Sequence, residues 1–179
     1  GPAIMTMCDS KTTESINLNK LTQLPSDTPK PISLIQFIQT PSDEPSIYGF
    51  QNYINEKYVL GKLDWSILSK NPRAIKLLEA FPEKIHWGNL SLNPEAIDLL
   101  KANQNKIDWT MLSMNCNAIE LLEANQDKIN WTTLSTNLNA MKLLKANLNR
   151  VNWTYLCLNK NPKVIQFMLD HVEQIYFSN

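Results

Sequence analysis

Glycine is scarce in this chain: the four, Gly1, Gly49, Gly61 and Gly88, are scattered and leave no glycine-rich loop to cradle a phosphate. Histidine is scarcer still, with only His86 and His171. The three cysteines, Cys8, Cys116 and Cys157, are odd in number and lack the paired spacing of metal ligands, so no metal site is expected and reduced thiols are the simplest reading. No nucleophile and base can be paired, so neither enzyme activity nor a cofactor is expected. Lys plus Arg and Asp plus Glu each total 17, giving a formal charge of zero, so no global field draws nucleic acid or anionic lipid. No apolar run approaches the roughly 20 residues that cross a bilayer, and the amino terminus lacks the apolar core of a signal peptide. These absences point to an intracellular protein with no membrane contact. Gly1-Pro2 resembles a protease scar, which would put the natural start at Met5 or Met7.

What the chain does have is a period. Its five tryptophans, Trp65, Trp87, Trp109, Trp131 and Trp153, stand 22 residues apart, the sign of a tandem array whose units bury their apolar faces against neighbours. The residue before each Trp is Asp64, His86, Asp108, Asn130 or Asn152, and four of these five are good helix N-caps. Trp and the Leu three residues on (Leu68, Leu90, Leu112, Leu134, Leu156) share a face at helical spacing, where a strand would separate them. A short helix is therefore predicted after each cap.

Six residues after each Trp comes Asn71, Asn93, Asn115, Asn137 or Asn159, followed in the first two units by Pro72 and Pro94. Asn at a cap with Pro at the first helical position predicts a second helix. That helix carries Ala74-Ile75 with Leu77-Leu78, and its counterparts run through Ala140-Met141 with Leu143-Leu144, a broad apolar face with one small residue for close approach. It is expected to close near Asn103, Asn125 and Asn147, where Asn tolerates the left-handed conformation. The fifth unit is expected to break register by two residues at Asn161-Pro162 and to end in a carboxy-terminal cap.

The reading is thus an all-α fold: an α-solenoid of five 22-residue two-helix repeats over 64–179. Before it come a Ser-, Thr- and Pro-rich arm over 1–44, extended or partly ordered, with an apolar island at 32–38, and a capping helix over 45–63. A leucine-rich repeat is the alternative, since its units are of similar length and also carry an Asn row. Its strand would need apolar alternation, and the residues two after Trp (Ile67, Asn89, Met111, Thr133, Tyr155) are too mixed for a buried strand.

The full pattern, W-x-x-L-S-x-N-P-x-A-I-x-L-L-x-x-N-x-x-K-I-D/N-W, resembles the short Trp/Asn-Pro repeats of proteins encoded by nucleocytoplasmic large DNA viruses, such as mimivirus-like and alga-infecting viruses. The resemblance covers Asp64 to about Val164, with Cys116 and Leu138 standing where Pro is expected. It implies a viral protein in the host cytoplasm with a helical repeat fold, and it implies no activity.

Three rows are candidates for function. The Asn row could read bases or peptides, but capping accounts for every member. A basic row 19 residues after Trp (Lys84, Lys106, Lys128, Arg150) would suit a nucleic-acid edge, although Glu83, Asp108 and Asp127 sit beside it. The third row lies two and five residues after Trp, away from the Trp and Leu face: Ile67, Leu92, Met111, Met114, Tyr155 and Leu158. An apolar strip of this kind marks a partner site on a repeat protein, and Met suits adaptable contacts. The expected function is a non-enzymatic scaffold for another protein, host or viral, or for a second copy of itself, with nucleic-acid binding as the alternative. The arm is a competing cover for the same strip.

Overall fold

A computed structural model describes residues 60–178, which are helical and contain no strand. The expected arm and almost all of the expected amino-terminal capping helix lie outside the described residues. The chain divides into two compact units, whose described parts are residues 60–85 and 86–178.

In the first unit, helices α1 (Trp65–Lys70) and α2 (Ile75–Ala80) alternate with 3-10 turns Leu60–Lys62, Pro72–Ala74 and Pro82–Lys84. Its core is Phe81, buried against Leu63, Trp65, Leu77 and Ala80, with the Trp65 ring edge-on at 5.8 Å.

The second unit holds α3 (Trp87–Ser91), α4 (Ile97–Ala102), α5 (Trp109–Leu112), α6 (Ile119–Glu123), α7 (Trp131–Leu134) and α8 (Met141–Ala146). It closes with α9 (Trp153–Leu156), α10 (Val164–Leu169) and α11 (Val172–Phe177). Helices this short are marginal in isolation, so caps and packing must hold them. Every Trp helix is capped, the four predicted caps and His86 alike. Asp64, Asp108, Asn130 and Asn152 each accept the amide three residues on through a side-chain oxygen. His86 does the same with Nδ1, which accepts from the Asn89 amide at 3.2 Å.

The second helices start later than the Asn-Pro signal suggests. Each Asn side-chain oxygen accepts the amide two residues on, which makes a turn, and the α-helix begins four residues after the Asn, at Ile75, Ile97, Ile119 and Met141. At the other end Asn103, Asn125 and Asn147 do not turn left-handed. Their φ values are −133°, −135° and −136°, and no described non-glycine residue has positive φ. The side-chain amide instead donates to the carbonyl four residues back, on Leu99, Leu121 and Leu143, each at 2.9 Å. A 3-10 turn follows (Gln104–Lys106, Gln126–Lys128, Leu148–Arg150). Buried Ile107, Ile129 or Val151 then leads to the next cap.

Depth separates the leucine and tryptophan rows. The innermost side chains are leucines: Leu90, Leu112, Leu134 and Leu156 from the Trp helices, and Leu100, Leu122 and Leu144 from the second helices, all fully buried around Ala96, Ala118 and Ala140. Trp87, Trp109 and Trp131 are only half-buried, as is Trp65 in its own unit, and Trp153 alone is buried. Leucine, with no polar atom to satisfy, occupies the centre, while the indoles lie at its margin.

The last segment keeps register longer than the sequence suggests. Asn159 and Asn161 occupy the same hydrogen-bonded positions as Asn137 and Asn139. The slip comes after them: α10 starts at Val164, one residue beyond the position 22 after Met141. Cys157 is a free, exposed thiol.

Candidate interaction surface

The polar rows are consumed inside the structure. In the second unit, the Asn115 amide donates to Ser91 O at 3.0 Å and Asn93 O at 2.9 Å. Asn137 donates likewise to Ser113 O at 3.0 Å and Asn115 O at 2.9 Å, and Asn159 to Ser135 O and Asn137 O, both at 2.9 Å. A parallel row links Asn117 to Pro94 O, Asn139 to Cys116 O and Asn161 to Leu138 O. The serines form a third: Ser91, Ser113 and Ser135 each donate to the carbonyl of their own Trp and accept the backbone amide of the next cap, Asp108, Asn130 or Asn152. A buried amide with both hydrogens spent on main-chain oxygens has no donor left to read a base. The Asn row serves the backbone.

The basic row also has a structural use. Lys106 Nζ stands 4.7 Å above the Trp87 ring, Lys128 Nζ 4.8 Å above Trp109, and Arg150 Cζ 5.1 Å above Trp131. Contacts of this geometry at a surface contribute about 0.5–1 kcal/mol each, and they keep the half-exposed indoles covered. Lys84 is exposed at the end of its 3-10 turn. Sequence reasoning offered this row as a nucleic-acid edge and missed the rings beneath Lys106, Lys128 and Arg150.

The apolar row is uneven. Ile67 is 66% exposed and belongs to the first unit. In the second, Leu92, Met111 and Met114 are half-buried, while Tyr155 and Leu158 are exposed, at 39% and 54%. The strip is interrupted at α7, where Thr133 and Thr136 hold the equivalent positions and bond to main-chain oxygens of Thr110, Asn130 and Thr133. Within the second unit the five predicted residues are therefore interrupted at Thr133 and Thr136, and among those five Tyr155 and Leu158 are the exposed ones.

The carboxy-terminal end carries a larger apolar surface than the sequence singled out. Ile165, Leu169, Val172, Tyr176 and Phe177 are all exposed, the last two at 82% and 78%. Phe167 and His171 face the other way: Phe167 stacks on Trp153 at 5.6 Å, and His171 lies 6.0 Å from Trp153 and 4.6 Å from Phe167. Helical periodicity in VIQFMLDHVEQIYF could mark these faces, but it does not say which one finds a neighbour.

Among the described residues no group of His, Cys, Asp and Glu could hold a metal ion, and no helix is long and apolar enough to cross a membrane. Compared with protein-family models, curated proteins and solved structures, the chain matches none.

Proposed function

We propose that the chain is an interaction scaffold: an α-solenoid of five 22-residue two-helix repeats, viral in origin and acting in the host cytoplasm, that binds another protein without catalysing a reaction. The observation that carries this reading is the set of apolar side chains at the surface of the second unit, the half-buried Met111 and Met114 before the Thr133–Thr136 interruption and the exposed Tyr155 and Leu158 after it. Patches of this kind on repeat proteins mark partner sites. The solenoid is supported by the hydrogen bonds that recur at separations of 22 to 24 residues, and the viral origin by the sequence resemblance alone. Binding of nucleic acid is the weaker reading, because Lys106, Lys128 and Arg150 already lie on tryptophan rings.

The test is affinity capture from infected or transfected cells with the parent chain and with Met111→Lys/Met114→Lys. Proteins retained by the parent and lost by the variant, at equal folded content, support the reading. Identical retention by both overturns this surface as the site.

A further inference from the structure

We propose that His171 is a proton-sensitive latch: in its charged form it takes the place of the cation that covers a tryptophan elsewhere in the second unit, and so holds α11 against α9. The inference concerns the carboxy-terminal helices alone and does not depend on the scaffold reading.

In the second unit a cation from further along the chain lies over each of three indoles, Lys106 over Trp87, Lys128 over Trp109 and Arg150 over Trp131. The residue at the equivalent distance from Trp153 is Val172, which is exposed and carries no charge. Its neighbour His171 approaches the indole instead. The imidazole centre is 6.0 Å from that of Trp153 and 4.6 Å from that of Phe167, which is itself stacked on Trp153 at 5.6 Å. Where earlier segments place a 3-10 turn between the second helix and the next cap, only Asp170 and His171 separate α10 from α11, so the chain turns back sooner.

The hydrogen bond of the ring fixes where a proton can go. His171 Nδ1 lies 2.7 Å from Phe167 O, and a carbonyl oxygen only accepts, so Nδ1 carries the hydrogen and Nε2 gains the second proton. His86 is the reverse case: its Nδ1 accepts the Asn89 amide, which leaves its hydrogen on Nε2. Protonating His171 therefore breaks no bond, strengthens the one to Phe167 O by charge, and sets a cation within about 6 Å of two aromatic rings. Asp170 and Glu173, one and two residues from His171, favour the charged ring. Lys145 of α8 opposes it from the Phe167 ring, 6.0 Å away, and Lys163 stands at the far end of α10. The other titratable groups on the packed helices are Tyr155 of α9 and Tyr176 of α11.

Histidine changes charge between about pH 5 and about pH 8. The charged form is the one favoured with α11 in place, so the stabilisation is complete on the acid side of that range and is lost as the pH rises through it. Because α11 carries Val172, Tyr176 and Phe177, the latch sets how firmly the exposed apolar residues of this end are held.

Amide hydrogen exchange of the full chain tests this at Ile175 and Ser178, whose amides donate to His171 O and Ile175 O. Protection factors, corrected for the intrinsic exchange rate at each pH, should fall about two- to fivefold between about pH 5 and about pH 8, the change that one surface cation–ring contact gives. In His171→Gln, whose amide can still donate to Phe167 O, they should be equal at the two pH values. Nitrogen NMR of the parent adds a readout that needs no variant: above about pH 8 His171 should be the Nδ1–H tautomer and His86 the Nε2–H tautomer. Parent protection that is constant or rises with pH, a pH dependence retained in His171→Gln, or a neutral His171 with its hydrogen on Nε2 overturns the proposal.

Discussion

The side-chain amide of Asn137 donates to the main-chain oxygen of Asn115, 22 residues earlier, at 2.9 Å, with its second hydrogen on Ser113 O. Asn137→Ala removes both donors from carbonyls that sit in the interior, and each orphaned group costs about 1–3 kcal/mol. Asn137→Asp has nearly the same shape but no amide hydrogens, and should be at least as destabilising. Urea unfolding of both variants measures this. If the aspartate variant matches the parent, the amide bonds are not what joins the segments.

Leu112 is fully buried and Trp109 only half-buried. Leu112→Ala is expected to cost about 2–5 kcal/mol. Trp109→Ala should cost no more than that, although it deletes many more atoms, because the indole lies at the margin of the core with one face under Lys128. A denaturation series in which the Trp109 variant is clearly the less stable would put the indole at the centre.

Lys128→Met keeps the apolar stem and removes the charge above Trp109. The expected loss is about 0.5–1 kcal/mol, with a change in tryptophan emission. The double charge reversal Lys106→Glu/Lys128→Glu is expected to leave nucleic-acid retention in a low-salt mobility shift where the parent has it, at background. A parent that retains nucleic acid and a reversal that does not would restore the basic edge as a binding site.

Ser113 Oγ donates to Trp109 O and accepts the Asn130 amide at 3.0 Å. Ser113→Ala leaves that amide without its partner, at a cost of about 1–3 kcal/mol. Ser113→Thr should recover part of it. Equal stability of the alanine variant and the parent would mean that water replaces the hydroxyl.

Much of this was legible because the relevant physics is local. Capping depends on a side chain and an amide three residues apart, so Asp64, Asp108, Asn130 and Asn152 could be read directly. His86 was harder only because imidazole is an unusual cap. The Asn row was visible, but its partners were not: a bond from Asn115 to Asn93 spans a full period, and nothing within one unit says which carbonyl faces the amide. The relative depth of Trp and Leu was not legible for a similar reason, since size favours the indole while the cation that covers it lies 19 residues away. Asn103 misled because its side chain satisfies the helix end that a left-handed residue would otherwise have closed. At the carboxy-terminal end, the sequence gives an amphipathic pattern for α10 and α11 but cannot say that the Ile165 and Tyr176 sides have no neighbour within the described chain.

The rows of asparagine and serine bonds also constrain how such a chain can change in length. Removing or adding a single residue between Asn115 and Asn137 would leave three rows of donors facing the wrong oxygens at once, whereas a deletion or duplication of 22 residues leaves every donor opposite an oxygen of the same kind. Growth and shrinkage in whole quanta is then the inexpensive route, and the one-residue slip at Val164 falls beyond the last of these bonds, where a frameshift in the ladder no longer matters.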